Sequence, residues 1–162
     1  MVHRRVEAIL GFHEIQVGDE WESQGRTVTE SNVIHFAGLS GDFNPLHLDY
    51  EFAKNSTFGR PVAHGLLGLA IASGLASHCP RVDTMAFVAI LEWQFLHPIY
   101  FGDTVRLISR VESIEPRSRG RRGVVVWARS LINQENKVVQ KGRIQTIVRG
   151  PEPTSSQSDP DS

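Results

Sequence analysis

The sequence predicts an α+β fold in which an antiparallel sheet curls around one buried helix, and three observations support this prediction. The stretch Gly65–Ser77 is apolar or small on nearly all sides, which is typical of a helix buried all round. From Met85 onward the hydrophobic period is that of strands. A length of 162 residues suits one domain with a substantial core. Because one sheet cannot cover a helix completely and leaves an edge strand exposed, we expect a homodimer that extends the sheet, or a larger assembly built from such dimers.

The composition excludes several classes of protein. It is 40% hydrophobic and 22% charged with a formal net charge of −1, so nothing favours nucleic acid as a partner. The one cysteine, Cys79, cannot form an internal disulfide and fits a reducing compartment. No signal-peptide core begins the chain, and no apolar run is long enough to span a bilayer. We therefore expect a cytoplasmic protein with no membrane partner.

The sequence pattern of the first third of the chain predicts short strands and helices. Residues 1–18 show little pattern and are interpreted as an extended lead-in, and Trp21–Val28 is expected to form the first strand, turning at Gln24-Gly25. Thr29 is a good N-cap for a short helix, Asn32–Gly41, in which Gly41 suits the end. The expected apolar side of that helix consists of Val33, Ile34, Phe36, Ala37 and Leu39.

The remaining elements follow from periodicity. Tyr50–Lys54 is expected to be a short helical piece, and Gly65–Ser77 a helix about 20 Å long. Gly68, Ala72 and Ala76 form a smooth side of this helix, which another backbone could approach closely. The expected strands are Phe87–Phe95 with alternating faces, Thr104–Ile114, Gly123–Ile132 and Val138–Val148. Residues 1–150 are thus predicted to form one domain, and the Pro-, Ser- and Asp-rich residues 151–162 a disordered tail.

A carboxylate and an imidazole lie five residues apart in the segment Ser40–His47. Because Pro45 disfavours the α region for Asn44, the segment is expected to be a rigid, bent loop and not a helix. Such a loop could bring Asp42 and His47 together to hold a water and transfer protons. On spacing alone the simpler interpretation is favoured, in which Asp42 caps a turn and His47 is a surface residue.

His64 and Gly65 lie in the first turn of the long predicted helix, where backbone N–H groups are unpaired and the helix dipole is positive. Since Gly65 has no side chain, a ligand oxygen could approach its N–H closely and develop negative charge there. Alternatively, Gly65 only allows the helix to pack closely on the sheet. Both interpretations stand at this point.

Taken together these segments resemble a known family. The segments that carry the resemblance are Ser40-Gly41-Asp42-Phe43-Asn44-Pro45-Leu46-His47, Asp49, Ala53 and Phe58, Ala63-His64-Gly65, and Phe95-Leu96-His97-Pro98-Ile99-Tyr100-Phe101-Gly102-Asp103-Thr104. They are similar to the MaoC-like, (R)-specific enoyl-CoA hydratases, and the resemblance covers roughly residues 17–148.

The resemblance implies a dimeric hotdog fold and the reversible addition of water to a trans-2-enoyl thioester, giving an (R)-3-hydroxyacyl thioester. Asp42 and His47 would hold the water, and the Gly65 N–H would bind the thioester oxygen. Ser73, eight residues after Gly65, would support the aspartate, and Asn44 would fix the loop. His64 is a further candidate for substrate binding. No metal or cofactor is implied beyond the coenzyme A or acyl carrier of the substrate.

Two other functions remain open on this fold. A carboxylate could activate water toward the carbonyl carbon, as in an acyl-CoA thioesterase, or the chain could be a non-catalytic acyl-thioester-binding subunit. The intact Asp42/His47 loop stands against both. Phe36 and Phe58 could line an acyl pocket or simply pack in the core. The basic residues Arg117, Arg119, Arg121 and Arg122 could meet coenzyme A phosphates, although a solvated hairpin tip is favoured.

Overall fold

The structure is a computed structural model that describes residues 8–151. Its main element is one antiparallel sheet. The strands lie in the order β1-β4-β5-β6-β3, and β2 also pairs with β4. The predicted disordered tail lies outside the described residues, apart from Pro151. The strands are β1 (Glu20–Glu22), β2 (Arg26–Thr27), β3 (Thr84–Phe95), β4 (Thr104–Arg117), β5 (Arg122–Ile132) and β6 (Val138–Arg149). The helices are α1 (Glu30–Ser40), α2 (Pro45–Leu48), α3 (Tyr50–Lys54) and α4 (Gly65–Ala76), with 3-10 turns at Phe12–Glu14 and Ser118–Gly120.

The three long strands β4, β5 and β6 form the centre of the sheet. On β5, Val125, Trp127 and Leu131 share the face that the core covers, and each is almost fully buried. The β4–β5 ladder runs from Arg106↔Ile132 to Arg117↔Arg122. The predicted ends of these strands agree with the structure to within a few residues.

The N-terminal expectations need correction. The predicted strand Trp21–Val28 is two short strands, β1 and β2, which both pair with β4 and are separated at the predicted turn, Gln24-Gly25. Just before this turn, the Ser23 Oγ accepts a hydrogen bond from the Leu107 N–H at 2.8 Å. Residues 1–7 of the predicted lead-in lie outside the described residues, and from residue 8 on it is more than an extended segment. Leu10, Phe12 and Ile15 are buried in a second core cluster, although they are too sparse to show a period.

The helix α1 is capped as predicted but begins two residues earlier. Thr29 Oγ1 accepts a hydrogen bond from the Asn32 N–H at 3.2 Å, and Gly41 ends the helix with φ 78°. Val33 and Ala37 of the expected apolar side are buried and Phe36 packs against the core. Ile34 and Leu39 are 53% and 85% exposed, so in this chain they do not belong to that side.

The central helix α4 crosses the sheet, and its bulky residues Leu67 and Ile71 are buried against it. Leu66 is 61% exposed, and Ala70 and Ser73 are also exposed. Burial on every side was expected together with a dimer, and it stays a prediction, because within one chain the sheet covers only one face of the helix. None of the helices among the described residues is long and apolar enough to cross a membrane.

The edge strand β3 departs from strict alternation. Its register against β6 shifts at three places, between Thr84 and Ala86, Phe87 and Ala89, and Ile90 and Glu92. Each shift changes the face on which the following side chains lie, so Phe87, Ala89 and Leu91 do not share one face as predicted. Large apolar side chains on β3 are 45% to 53% exposed: Met85, Phe87, Val88, Ile90, Leu91 and Phe95.

Candidate active site

The loop that carries Asp42 is shaped by the end of α1. Gly41 adopts the left-handed conformation that a helix end requires, and its N–H donates to the Ala37 carbonyl at 2.8 Å. The Ser40 hydroxyl donates to the Phe36 carbonyl at 2.7 Å and accepts from the Asp42 N–H at 3.2 Å. Asp42 therefore lies immediately beyond a helix end, as predicted, and its side chain is 53% exposed.

Asn44 connects Asp42 to the turn that carries His47. Its N–H donates to Asp42 Oδ1 at 3.2 Å, and its Oδ1 accepts from the Leu46 N–H at 2.9 Å. Asn44 is kept out of the α region (ψ 129°), yet Pro45 begins the one-turn helix α2. The expectation of a loop without helix is thus wrong for residues 45–48. The geometry does give Asn44 contacts that fix this loop.

His47 projects from α2 with one ring nitrogen in use. Its Nδ1 lies 2.6 Å from the Val62 carbonyl oxygen. A carbonyl can only accept, so Nδ1 carries the hydrogen, and in the neutral ring Nε2 keeps its lone pair. His47 also lines the main cavity. The fold therefore presents a proton acceptor to that cavity.

His64 lies beneath this loop instead of facing a ligand. It is 3% exposed, and its Nε2 donates to the backbone carbonyl of Asp42 at 2.9 Å. Its ring stacks on the His47 ring with centroids 3.8 Å apart, and Phe36 packs on it at 5.1 Å. His64 is not among the residues that line the cavity. Its contacts support Asp42 and His47, and its role in substrate binding stays a prediction.

The two candidate catalytic groups can share one water. Ligand-type atoms of Asp42, His47 and His64 all lie within 4.8 Å of one another. A water about 2.8 Å from each of two such atoms spans that separation. The same three groups are donor types for a metal ion. His64 Nε2 carries the hydrogen donated to the Asp42 carbonyl, so the lone pair of this ring is on its buried Nδ1, which has no hydrogen-bond partner.

Gly65 and His47 line one cavity of about 300 Å³. Gly65 is the first residue of α4, and His64 before it provides no side-chain cap. The first N–H groups of a helix have no intrahelical partner and lie at its positive end. Phe58 lines the cavity as well, whereas Phe36 packs against the core. A polar wall contributed by Gln140 was not anticipated.

Asp42 and Asn44 are not among the residues that line the cavity, and two further predicted groups lie apart from it. Ser73 is exposed on α4 about 12 Å along the helix from Gly65, and the described residues form no hydrogen bond between Ser73 and Asp42. Its role as support for Asp42 stays a prediction. The basic loop at Arg117–Arg122 lies at the far end of β4, about 40 Å along the strand from Thr104. It forms a hairpin tip and does not border the cavity of the same chain.

Solved structures identify the class of fold. The MaoC-like dehydratase of Rhodospirillum rubrum superposes with a TM-score of 0.75 at 28% identity, covering 89% of this chain and 99% of that one. A Mycobacterium tuberculosis protein described as having a double hotdog fold superposes with a TM-score of 0.75 at 18% identity, covering 90% of this chain and 46% of that one. The fold is therefore the hotdog fold, as expected.

Sequence comparisons identify the family. A family model described as MaoC like domain matches residues 14–132. The chain is 30% identical over 138 residues to the (R)-specific enoyl-CoA hydratase of Rhodospirillum rubrum, covering 85% of this chain and 90% of that protein. It is 35% identical over 96 residues to protein MaoC of Klebsiella aerogenes, covering 59% of this chain and only 29% of that protein. The chain belongs to the MaoC-like family of hydratases and dehydratases.

Proposed function

We propose that this protein reversibly adds water to a trans-2-enoyl thioester, giving an (R)-3-hydroxyacyl thioester. One observation carries the proposal: His47 and Gly65 line the same cavity. His47 is held with its Nε2 free, and Gly65 is the first residue of α4. Asp42 lies beside His47 on the same short loop. The identity to an (R)-specific enoyl-CoA hydratase supports the choice of substrate class.

The reaction needs only groups that the chain supplies. Asp42 and His47 hold one water; one of them accepts its proton as the oxygen bonds to the β carbon. The electrons of the double bond move toward the thioester, and negative charge develops on the carbonyl oxygen. A proton is then delivered to the α carbon, so the elements of water are added without an external oxidant or reductant. Since the thioester already makes the β carbon electrophilic, we propose no metal and no cofactor besides the acyl carrier.

The Gly65 N–H would stabilise the charge on the thioester oxygen. It combines an unpaired donor with the positive end of a twelve-residue helix. The apolar residues Phe95 and Leu96 line the same cavity as Gly65. Low polarity around the thioester oxygen strengthens the hydrogen bond that this oxygen accepts. The bond stabilises the transition state more than the substrate, because the oxygen carries more negative charge in the transition state.

We also propose that the chain works as a homodimer. β3 ends the sheet in the part of the chain that the structure describes, and it carries the exposed apolar side chains named above. Unpaired strand edges with such side chains favour pairing with another strand. A second copy would cover both this edge and the exposed side of α4 that begins at Leu66.

A panel of enoyl-CoA substrates tests the proposed reaction. Hydration removes the absorbance of the conjugated thioester without releasing a thiol, and the configuration of the product is determined on a chiral column. We expect loss of absorbance, no free thiol and an (R) product. Release of free coenzyme A with the double bond intact would instead identify a thioesterase. Tight binding without either reaction would identify a binding subunit.

A further inference from the structure

A buried glutamine connects the sheet to the first turn of α4. Gln140 on β6 is 2% exposed, and its Nε2 donates to the Gly65 carbonyl at 3.0 Å. Its Oε1 accepts from Trp93 Nε1 at 3.1 Å. Because the indole can only donate and the carbonyl can only accept, these two partners determine the orientation of the amide. We propose that Gln140 is a positioning residue that holds the Gly65 N–H toward the thioester oxygen, an inference that rests on the proposed function.

The absence of a side chain at Gly68 leaves space on α4 for this amide. A Cβ atom at Gly68 would lie 2.2 Å from Gln140 Nε2 and 2.8 Å from its Cδ, so any side chain at position 68 would displace the amide. Gly65 and Gly68 are three residues apart and lie on the same side of the helix. The sequence predicts that another backbone could approach the smooth side of α4, whereas at Gly68 this side contacts the side chain of Gln140.

Anchoring the carbonyl of Gly65 restrains the N–H of the same residue. The two groups are linked only through φ and ψ, and glycine restricts those angles less than any other residue. The first turn of α4 has no side-chain cap that would hold it. A buried amide with both of its ends bonded supplies that restraint from β6 and β3. The proposed oxyanion donor is therefore fixed to the sheet and does not depend on the mobility of a loop.

Two variants remove the restraint in different ways. Gln140→Leu deletes both hydrogen bonds, and Gly68→Ala displaces the amide while replacing a helical glycine with a stronger helix former. We expect each to lower kcat by about ten- to a hundred-fold, the cost of a donor displaced by a fraction of an ångström to 1 Å, with KM changed less than kcat. Trp93→Phe keeps the bond to Gly65 and should cost less. Gln145→Leu, on the other face of β6, is the matched control and should keep the kcat of the unmodified protein.

Infrared difference spectra separate positioning from stability. A saturated acyl-CoA labelled with ¹³C at the thioester carbonyl binds without reacting, and a hydrogen bond to its oxygen lowers the carbonyl stretching frequency. We expect this lowering to be smaller in Gln140→Leu and Gly68→Ala than in the unmodified protein and in Gln145→Leu.

Two outcomes would overturn the inference. In the first, both variants fold and keep the carbonyl stretching frequency and the kcat of the unmodified protein, or lose only thermal stability. Gln140 is then a packing residue, and the hydratase proposal stands. If the unmodified protein binds no acyl-CoA, the proposed function fails, and this inference fails with it.

Discussion

Replacing Gly65 with proline would remove the proposed oxyanion donor while preserving the backbone. His64 has φ −57° and ψ 137°, the extended region that a residue before proline prefers, and proline is favoured at the first position of a helix. Loss of one oxyanion-hole donor typically lowers kcat by about a hundred- to a thousand-fold. We expect a loss of this size in hydration assays, with a smaller change in substrate affinity because the bond strengthens with the charge.

Gly65→Ala is the matched control, since it adds the same Cβ atom but keeps the N–H. The structure shows that this Cβ would lie 2.9 Å from Phe95 Cδ1, so the control itself crowds the cavity. Phe95 is 53% exposed and its ring can move, and a Phe95→Leu background should relieve any crowding. If the alanine variant loses as much activity as the proline variant in that background, glycine is present for space and the hydrogen-bond role is wrong.

Three further predictions concern assembly and stability. Sedimentation at micromolar concentration should give twice the 18.1 kDa chain mass or an even multiple of it, and Ile90→Lys on the β3 edge should give monomers; a stable monomer of the unmodified protein would contradict the pairing. Burial lowers the pKa of Arg129 to about 10, so the charged group destabilises the folded state at every pH below that value. Arg129→Met should therefore raise the urea midpoint while the exposed Arg110→Met leaves it unchanged. A fall with Arg129→Met would show that the contact of its guanidinium with the Trp127 ring, 5.8 Å from the ring centroid, outweighs the cost of burial. Thr29→Ala removes the cap of α1 and should lower the free energy of unfolding by about 1 kcal/mol, and an unchanged urea midpoint would show that the cap contributes little.

The sequence predicted best the elements whose periodicity is strong and local. β4, β5, β6 and the start of α4 at Gly65 follow from hydrophobic period and length alone. The short helix Tyr50–Lys54 was confirmed with its bounds. These elements needed no knowledge of their partners.

The features that the sequence did not reveal depend on contacts between distant segments. The bulges of β3 are defined only against β6, so alternation within Phe87–Phe95 could not show them. The support that His64 gives Asp42 joins residues 22 apart, and the bond from Gln140 to Gly65 joins residues 75 apart. One signal for Gln140 was present, because its position on β6 shares the core-facing parity of Ile144. A polar side chain at such a position requires buried partners.

The Asp42–His47 pair is the centre of the proposed mechanism, and a double-mutant cycle on turnover tests it most directly. Asp42→Asn keeps an oxygen for the Asn44 N–H, and His47→Ala removes the proton acceptor; His35→Ala, on the exposed side of α1, is the control. Each single variant should lower kcat for enoyl-CoA hydration by about a hundred-fold or more. The double variant should be little worse than the poorer single one, because one water needs both groups. Turnover near that of the unmodified protein in either folded single variant would contradict the mechanism.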